Sequence, residues 1–393
     1  MKLWQKKYQL NSQIEKFTVG TDYLTDQKLV NYDCIASIAH AKMLHKIGIL
    51  TKIECDKLIE ALKEIITLNG QGKFIVTMKD EDCHTAIENF LVNALGDTGK
   101  KIHTARSRND QILTALRLYY KEEIQSILQA IDELTHTLLL LNENYGQMEI
   151  PGYTHMQKAM PSSVELWANS FVDSMDDNKI LLVGINELVD QSPAGTGAGY
   201  GVPIDVDRVM VASLLGFKKI QNNSMYVQNS RGKFESSLLH AFTQIMIDLN
   251  KMASDLLLFS MSEVGYIALP AELCTGSSMM PHKKNPDVLE LIRAHYHQMV
   301  SWEFQIKNIS GNLISGYNRD MQLTKDPIIQ GFELTKESLK IMTLVMENIH
   351  VNEECCKNAM TKDLYITKKA YELVNKGIPF REAYAQVAQK LDS

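Results

Sequence analysis

The chain has 393 residues, 45% hydrophobic and 22% charged, which is the balance of a folded globular protein and excludes wholesale disorder. Against 47 acidic side chains stand 41 basic ones, and the net charge of −6 leaves no bulk attraction for nucleic acid or anionic membrane. No apolar run approaches the roughly 20 residues that cross a bilayer, and MKLWQKKYQLNSQIEKF lacks the apolar centre of a signal peptide.

Six dispersed cysteines form no CxxC pair, so a soluble cytoplasmic protein with reduced thiols is expected. The opening hundred residues read as shorter helices. Glu81-Asp82-Cys83-His84 carries groups that ligate zinc only with partners the sequence does not specify, and no metal is expected. His103-Thr-Ala-Arg-Ser-Arg-Asn-Asp-Gln111 then opens the longest helix. There Ser107, Arg108 and Asn109 are donors at a positive helix end and suit a carboxylate; plain capping by Asn109 or Asp110 is the competing reading. From Asn109 to Tyr145 there is neither Gly nor Pro. Ile112, Leu116, Tyr119, Ile124, Ile127, Ile131, Leu134 and Leu138 recur at spacings of three and four, a buried helical stripe. At 1.5 Å per residue that helix is on the order of 50 Å long.

Gly152-Tyr-Thr-His-Met-Gln157 reads as a turn before the next helix, predicted over Ser162–Leu182. His155 sits there beside a hydroxyl, where proton transfer competes with an ordinary solvated role. The loop at 191–205 contains Gly195-Thr-Gly-Ala-Gly-Tyr-Gly201, which has neither the GK[ST] ending nor the GxGxxG spacing of a phosphate loop. Lys233–Val264 is predicted as a helix apolar over most of its circumference. Such a helix must be surrounded, in a thick bundle or at a subunit interface.

Thr275-Gly-Ser-Ser-Met-Met-Pro-His-Lys-Lys-Asn-Pro-Asp287 is the densest segment. Its Gly and serines give a mobile backbone with two hydroxyls, and Met279, Met280 and Pro281 are expected to anchor the far side. Lys283, Lys284 and Asn285 bring donors up to a helix predicted over Asp287–Ser310, together an anion site. His295 and His297 in that helix point about 200° apart and do not readily share a metal. Gly316–Asp326, holding Tyr317, Gln322 and Lys325, is on its own a polar connector. A last long helix starts near Phe332, and the final fifty residues read as a small helical cap. The fold class is therefore all-α: an N-terminal helical domain (1–105), a central long-helix bundle (106–345) and a small C-terminal helical domain (346–393).

GSSMMPHKKNP resembles the GSSxMPxKxNP signature of the fumarase/aspartase superfamily, and HTARSRNDQ, GYTHMQ, EDCHT and YNRDMQ narrow the resemblance to the argininosuccinate lyase family. It runs from Leu3-Trp4 to the Pro379–Ala383 segment. The resemblance implies a fumarase/aspartase-like fold. It further implies anti-elimination of argininosuccinate to arginine and fumarate, the last step of arginine biosynthesis, without metal or organic cofactor. The family assembles as a homotetramer whose active sites form where three subunits meet. By position, Ser277 becomes the base, assisted by Lys283 and Asn285, and His155 the acid, oriented by Glu290. Ser37, Ser107, Arg108, Asn109, Thr154, Tyr317, Gln322 and Lys325 become substrate-binding, with His84, Arg231 and Lys284 as weaker candidates. His282 and Ile87 depart from the family's usual residues there. Relatives usually continue for several dozen residues beyond the PFREA segment, so a shortened C-terminal region is expected. The alternatives are another lyase of the superfamily, such as adenylosuccinate lyase or aspartase, and a non-catalytic crystallin-like protein.

Overall fold

A computed structural model describes residues 10–389; Leu3 and Trp4, where the resemblance begins, lie outside them, as does the start of the segment weighed as a signal peptide. Helices dominate, and the strands form only two-stranded ladders. Contacts group the chain into two compact units. The first takes the described residues up to Ile127 with Ile180–Thr243 and Met299–Glu333. The second takes Leu128–Lys179, Gln244–Gln298 and the described residues from Leu334 onward.

In the first unit α1 (Val30–Lys46) packs on α2 (Lys52–Gly70), and α3 (Cys83–Leu95) packs on both. Thr51 and Glu54 start α2 with a reciprocal capping box, satisfying two amides that the helix itself leaves unpaired. The long α4 (Arg108–Tyr145) begins one residue earlier than the sequence predicts. Around its first half sit Tyr119 and Tyr120, whose rings meet Phe332 at centroid distances of 5.5 and 5.6 Å, with Phe242 at 4.7 Å on the same ring. Gly331 lets these helices approach: a Cβ there would lie 2.4 Å from Leu239 Cδ2.

In the second unit, the segment expected as a simple turn is a hairpin of β1 (Glu149–Thr154) and β2 (Gln157–Ser163). It precedes α5 (Val164–Val189), which therefore starts two residues later than predicted. Tyr153 and Tyr266 share a 2.6 Å hydrogen bond, and Lys158 Nζ donates to the Ala359 carbonyl at 2.7 Å, fixing the hairpin within its unit. Trp167 Nε1 donates to Asp255, and Ser174 and Asn178 donate to Asp248, so these polar groups of the second unit are paired.

The apolar helix α6 runs Lys233–Phe259 and stops short of the predicted Val264. Leu238, Leu239, Phe242, Ile245, Met246, Leu249, Met252, Ala253 and Leu256 are all fully buried within one chain. One chain thus buries most of its apolar circumference, while Ile247 stays 39% exposed. A short ladder of β3 (Thr275–Gly276) and β4 (Lys284–Asn285) leads into α7 (Asp287–Ser310), whose ends match the prediction. The last long helix, α8 (Lys325–Asn348), begins seven residues before Phe332.

Candidate active site

A cleft of about 590 Å³ opens in the first unit, lined from stretches of chain some three hundred residues apart. One wall is acidic. Asp82 caps α3, its carboxylate accepting the Thr85 amide at 2.8 Å, and Asp22, Asp26 and Glu81 stand beside it. Cations share that lining, Arg108, Arg231, Arg319 and Lys325, with Arg108 paired to Glu81 and Asp82. Lys325, at the head of α8 and almost fully buried, lies 2.7 Å from Asp22 and 2.5 Å from Asp26. Burial opposes its charge, but the two carboxylates outweigh that and raise its pKa. Burial in turn lifts the Asp22 carboxyl to about 6 in spite of Lys325. Arg231 is buried with its Nη1 unpartnered, and its guanidinium lies 5.1 Å from the Tyr317 ring centroid.

Asp26, Cys83 and His84 place ligand atoms within 4.8 Å of one another. Two of those groups are partly engaged: Asp26 accepts from Lys325 and the Cys83 amide, and His84 Nδ1 faces Asp33. A divalent cation would have to displace Lys325.

The head of α4 is organised by Asp110. Its Oδ1 accepts the Ser107 amide at 2.9 Å, while Oδ2 accepts the amides of Gly195 and Gly197, each at 3.0 Å. The glycine loop set aside as a phosphate site does cradle an anion, and the anion is this carboxylate. Asp110 is 2% exposed, and burial pushes its carboxyl up although three amides oppose the shift. Ser107 Oγ accepts the Asn109 amide, and Arg108 binds Thr85 Oγ1 at 2.7 Å and the carboxylates of Glu81 and Asp82 at 3.3 and 3.1 Å.

The 275–287 segment belongs to the second unit. Its neck closes through the ladder, through Thr275 Oγ1 donating to Asp287 and through Asn285 Nδ2 donating to the Gly276 carbonyl at 3.3 Å. Ser277 Oγ accepts two amides, from Met279 at 3.3 Å and Met280 at 3.0 Å. A hydroxyl oxygen that receives two N–H groups is an oxygen on which negative charge is stabilised. Lys283, Lys284 and Glu290 are exposed. The methionines do not anchor the loop as expected: Met279 is 87% and Met280 40% exposed, because this chain offers nothing to cover them.

His155 stands at the tip of the β1–β2 hairpin, exposed, with φ +54° followed by Met156 at +60°. A two-residue hairpin turn with both residues left-handed usually carries Asn and Gly, so side chains here hold an uncommon backbone. Among the described residues no hydrogen bond joins His155 to Glu290.

Residues 9–300 match the family described as Lyase. An argininosuccinate lyase from Thermotoga neapolitana is 52% identical over 389 residues, 99% of this chain and 98% of the relative. This chain belongs to the argininosuccinate lyase family. The enzyme of that name from Bacteroides thetaiotaomicron is 40% identical over 392 residues, 100% of this chain and 88% of its own. A fumarate lyase:delta crystallin from Brucella melitensis shares the fold at a TM-score of 0.81 and 19% identity, over 98% of this chain and 87% of that one. The expected fumarase/aspartase-like, predominantly helical fold is borne out.

As an argininosuccinate lyase relative, the chain brings His84, Arg108, Asn109, Arg231, Tyr317, Gln322 and Lys325 into the one cleft. Ser37 does not line it: it is 1% exposed and its Oγ accepts both terminal nitrogens of Arg106, each at 3.0 Å. Gln322 touches the cleft while donating to the Thr18 carbonyl at 3.0 Å. Thr154 and His155 lie on the hairpin, and Ser277, Lys283, Asn285 and Glu290 on or just after the 275–287 loop. The acidic lining, Asp22, Asp26, Glu81 and Asp82, was missed as a group. Glu81 and Asp82 were noted only as zinc-capable groups, and the four-residue spacing that sets Asp22 and Asp26 on one helical face was the signal for the other two.

Proposed function

We propose that this chain is a cytoplasmic homotetramer that cleaves argininosuccinate by anti-elimination to arginine and fumarate, without a cofactor. Ser277, having lost its own hydroxyl proton to solvent, acts as the alkoxide whose Oγ removes the proton from the carbon next to a carboxylate. The electron pair moves into that carboxylate, giving a dianionic aci-carboxylate, and Lys283 and Asn285 balance the charge with the loop amides. Collapse of the dianion expels the guanidino nitrogen, which takes a proton from His155, and fumarate and arginine remain. The observation that carries this reading is the pair of amides on Ser277 Oγ, which makes a weak base a usable one.

The first unit's cleft supplies binding in this scheme: its arginines and His84 suit carboxylates, and its acidic wall suits the amino and guanidino ends of the same molecule. Ser107, Thr154, Ser37 and Lys284 stay in the reading as contacts or as supports of contacts. So does the three-part division at 105/106 and 345/346. Exposed apolar side chains along the long helices, among them Leu166, Ile180, Val183, Leu291 and Phe304, support association of several copies. The exposure of the 275–287 loop and of His155 in one chain supports active sites completed by neighbouring copies.

Continuous recording of fumarate absorbance tests the reading. Argininosuccinate should release fumarate, whereas adenylosuccinate and aspartate should not; release from either of the latter with none from argininosuccinate would reassign the substrate.

A further inference from the structure

Behind His84, which the proposed function already turns toward a carboxylate, stand three side chains to which it gives no role: Asp33, Gln111 and Arg106. His84 is 5% exposed, lines the cleft, and its Nε2 is buried without a hydrogen-bond partner. An orphaned buried nitrogen is costly unless something arrives to pair with it. The opposite ring nitrogen, Nδ1, lies 2.9 Å from Asp33 Oδ2. Asp33 is 0% exposed, and Gln111 Nε2 grips both of its oxygens, at 3.0 and 3.1 Å. Arg106 Nη2 stands 3.7 Å from the same carboxylate.

We propose that Asp33, locked by Gln111, is a positioning residue that presents His84 Nε2–H to the cleft as a charged donor for a substrate carboxylate. The inference rests on the proposed function for its substrate. The geometry is that of an imidazole held from behind: an acceptor on one nitrogen fixes the tautomer and turns the other into a donor.

The surroundings of His84 set its charge. On its own helix it faces Asp82 and Cys83, on the preceding segment Asp26, and on α1 Asp33. The cations nearby are Arg106 on Asp33, Arg108 on Asp82 and Lys325 on Asp26. His103 is a further neighbour, pushed down to about 4 and hence neutral. Burial works against a charged His84, but the charge and hydrogen bond of Asp33, then Asp82 and Asp26, outweigh it and raise its pKa. Below that raised pKa the donor is an imidazolium; as pH rises through it, the charge is lost and the carboxylate loses its partner. KM therefore stays low while the imidazolium persists and climbs as pH rises through the ring's raised pKa. Asp22, at about 6, titrates on the acid side, so an inflection there does not belong to His84.

The test is Asp33→Asn in the full-length protein. An asparagine oxygen still accepts from Nδ1–H, so the ring keeps its place while the buried charge disappears. Two readouts are taken: the titration of the His84 ring by NMR, with its resonance assigned by loss in His84→Gln, and the pH profile of KM and kcat for argininosuccinate. In the unaltered protein the ring should titrate above 6.5, and in Asp33→Asn below it. At a pH between the ring's titrations in the two proteins, the substitution should raise KM roughly ten- to a hundredfold, the range for a lost hydrogen bond to a charged group, with the loss falling on KM more than on kcat. An unchanged His84 titration, or a KM insensitive to the substitution at every pH, overturns the inference. Should Asp33→Asn not fold, His84→Gln decides: it retains a neutral donor and must show the raised KM without the climb as pH rises. The NMR titration needs no substrate. A chain that fails to cleave argininosuccinate but shows the charged ring sinks the proposed function and leaves the Asp33–His84 relation standing.

Discussion

At the scale of single residues, His155 is held where few side chains sit comfortably. Its left-handed backbone at a two-residue hairpin tip leaves the residue exposed to solvent. If it delivers the proton to the leaving nitrogen, His155→Asn keeps a residue that tolerates the same backbone while removing the acid. Turnover should fall roughly 10²–10⁴-fold with the melting temperature almost unchanged. A parallel loss of thermal stability would make the residue a support of the hairpin. Ser277, Lys283, Asn285 and His155 stand out in the sequence because they lie in contiguous segments that resemble a known family's, and that resemblance is what implies their roles. Asp33 was not legible there, since His84 lies 51 positions away, and only the local capping role of Asp110 was, since the glycine amides it also holds lie 85 and 87 positions away.

At the scale of elements, the head of α4 is where sequence and packing meet. Four amides at any helix start lack partners within the helix. Here one of them and two glycine amides from a distant loop share a single buried carboxylate. Asp110→Ala strands all three and should cost about 3 kcal/mol, read as a shift of the denaturant midpoint at constant slope. It should also raise KM by loosening Arg108 and Asn109. A midpoint shift below about 0.5 kcal/mol would mean that water replaces the carboxylate. Helix α7 was predicted to the residue, since Asp287 marks its start and Gly311 follows its end. The β1–β2 hairpin escaped notice for a physical reason. Pro151 and Pro161 sit opposite each other in its ladder, neither with an N–H to donate, and prolines argue against a strand. The turn also lacks the Asn-Gly signal, because His155 and Met156 occupy the left-handed positions.

At the scale of the whole molecule, each chain holds a binding cleft in one unit and the Ser277 loop and His155 hairpin in the other. In the proposed assembly, active sites combine segments from different copies. Two variants that are each inactive, Ser277→Ala and Asn109→Leu, should then complement when co-expressed, because some sites draw an intact loop from one copy and an intact Asn109 from another. Mixed protein no more active than either parent contradicts shared sites. The apolar character of α6 has little bearing on this, since one chain buries most of it. The exposed leucines, isoleucine, valine and phenylalanine of α5 and α7 do.

The central claim is that Ser277 Oγ takes the proton that begins the elimination. Its most direct test is single-turnover fumarate release by Ser277→Ala, with argininosuccinate binding measured on the same preparation. The account predicts binding within a few-fold of the unaltered protein and release slowed by at least about three orders of magnitude. Near-full release by the alanine variant would contradict it and assign the proton to another group.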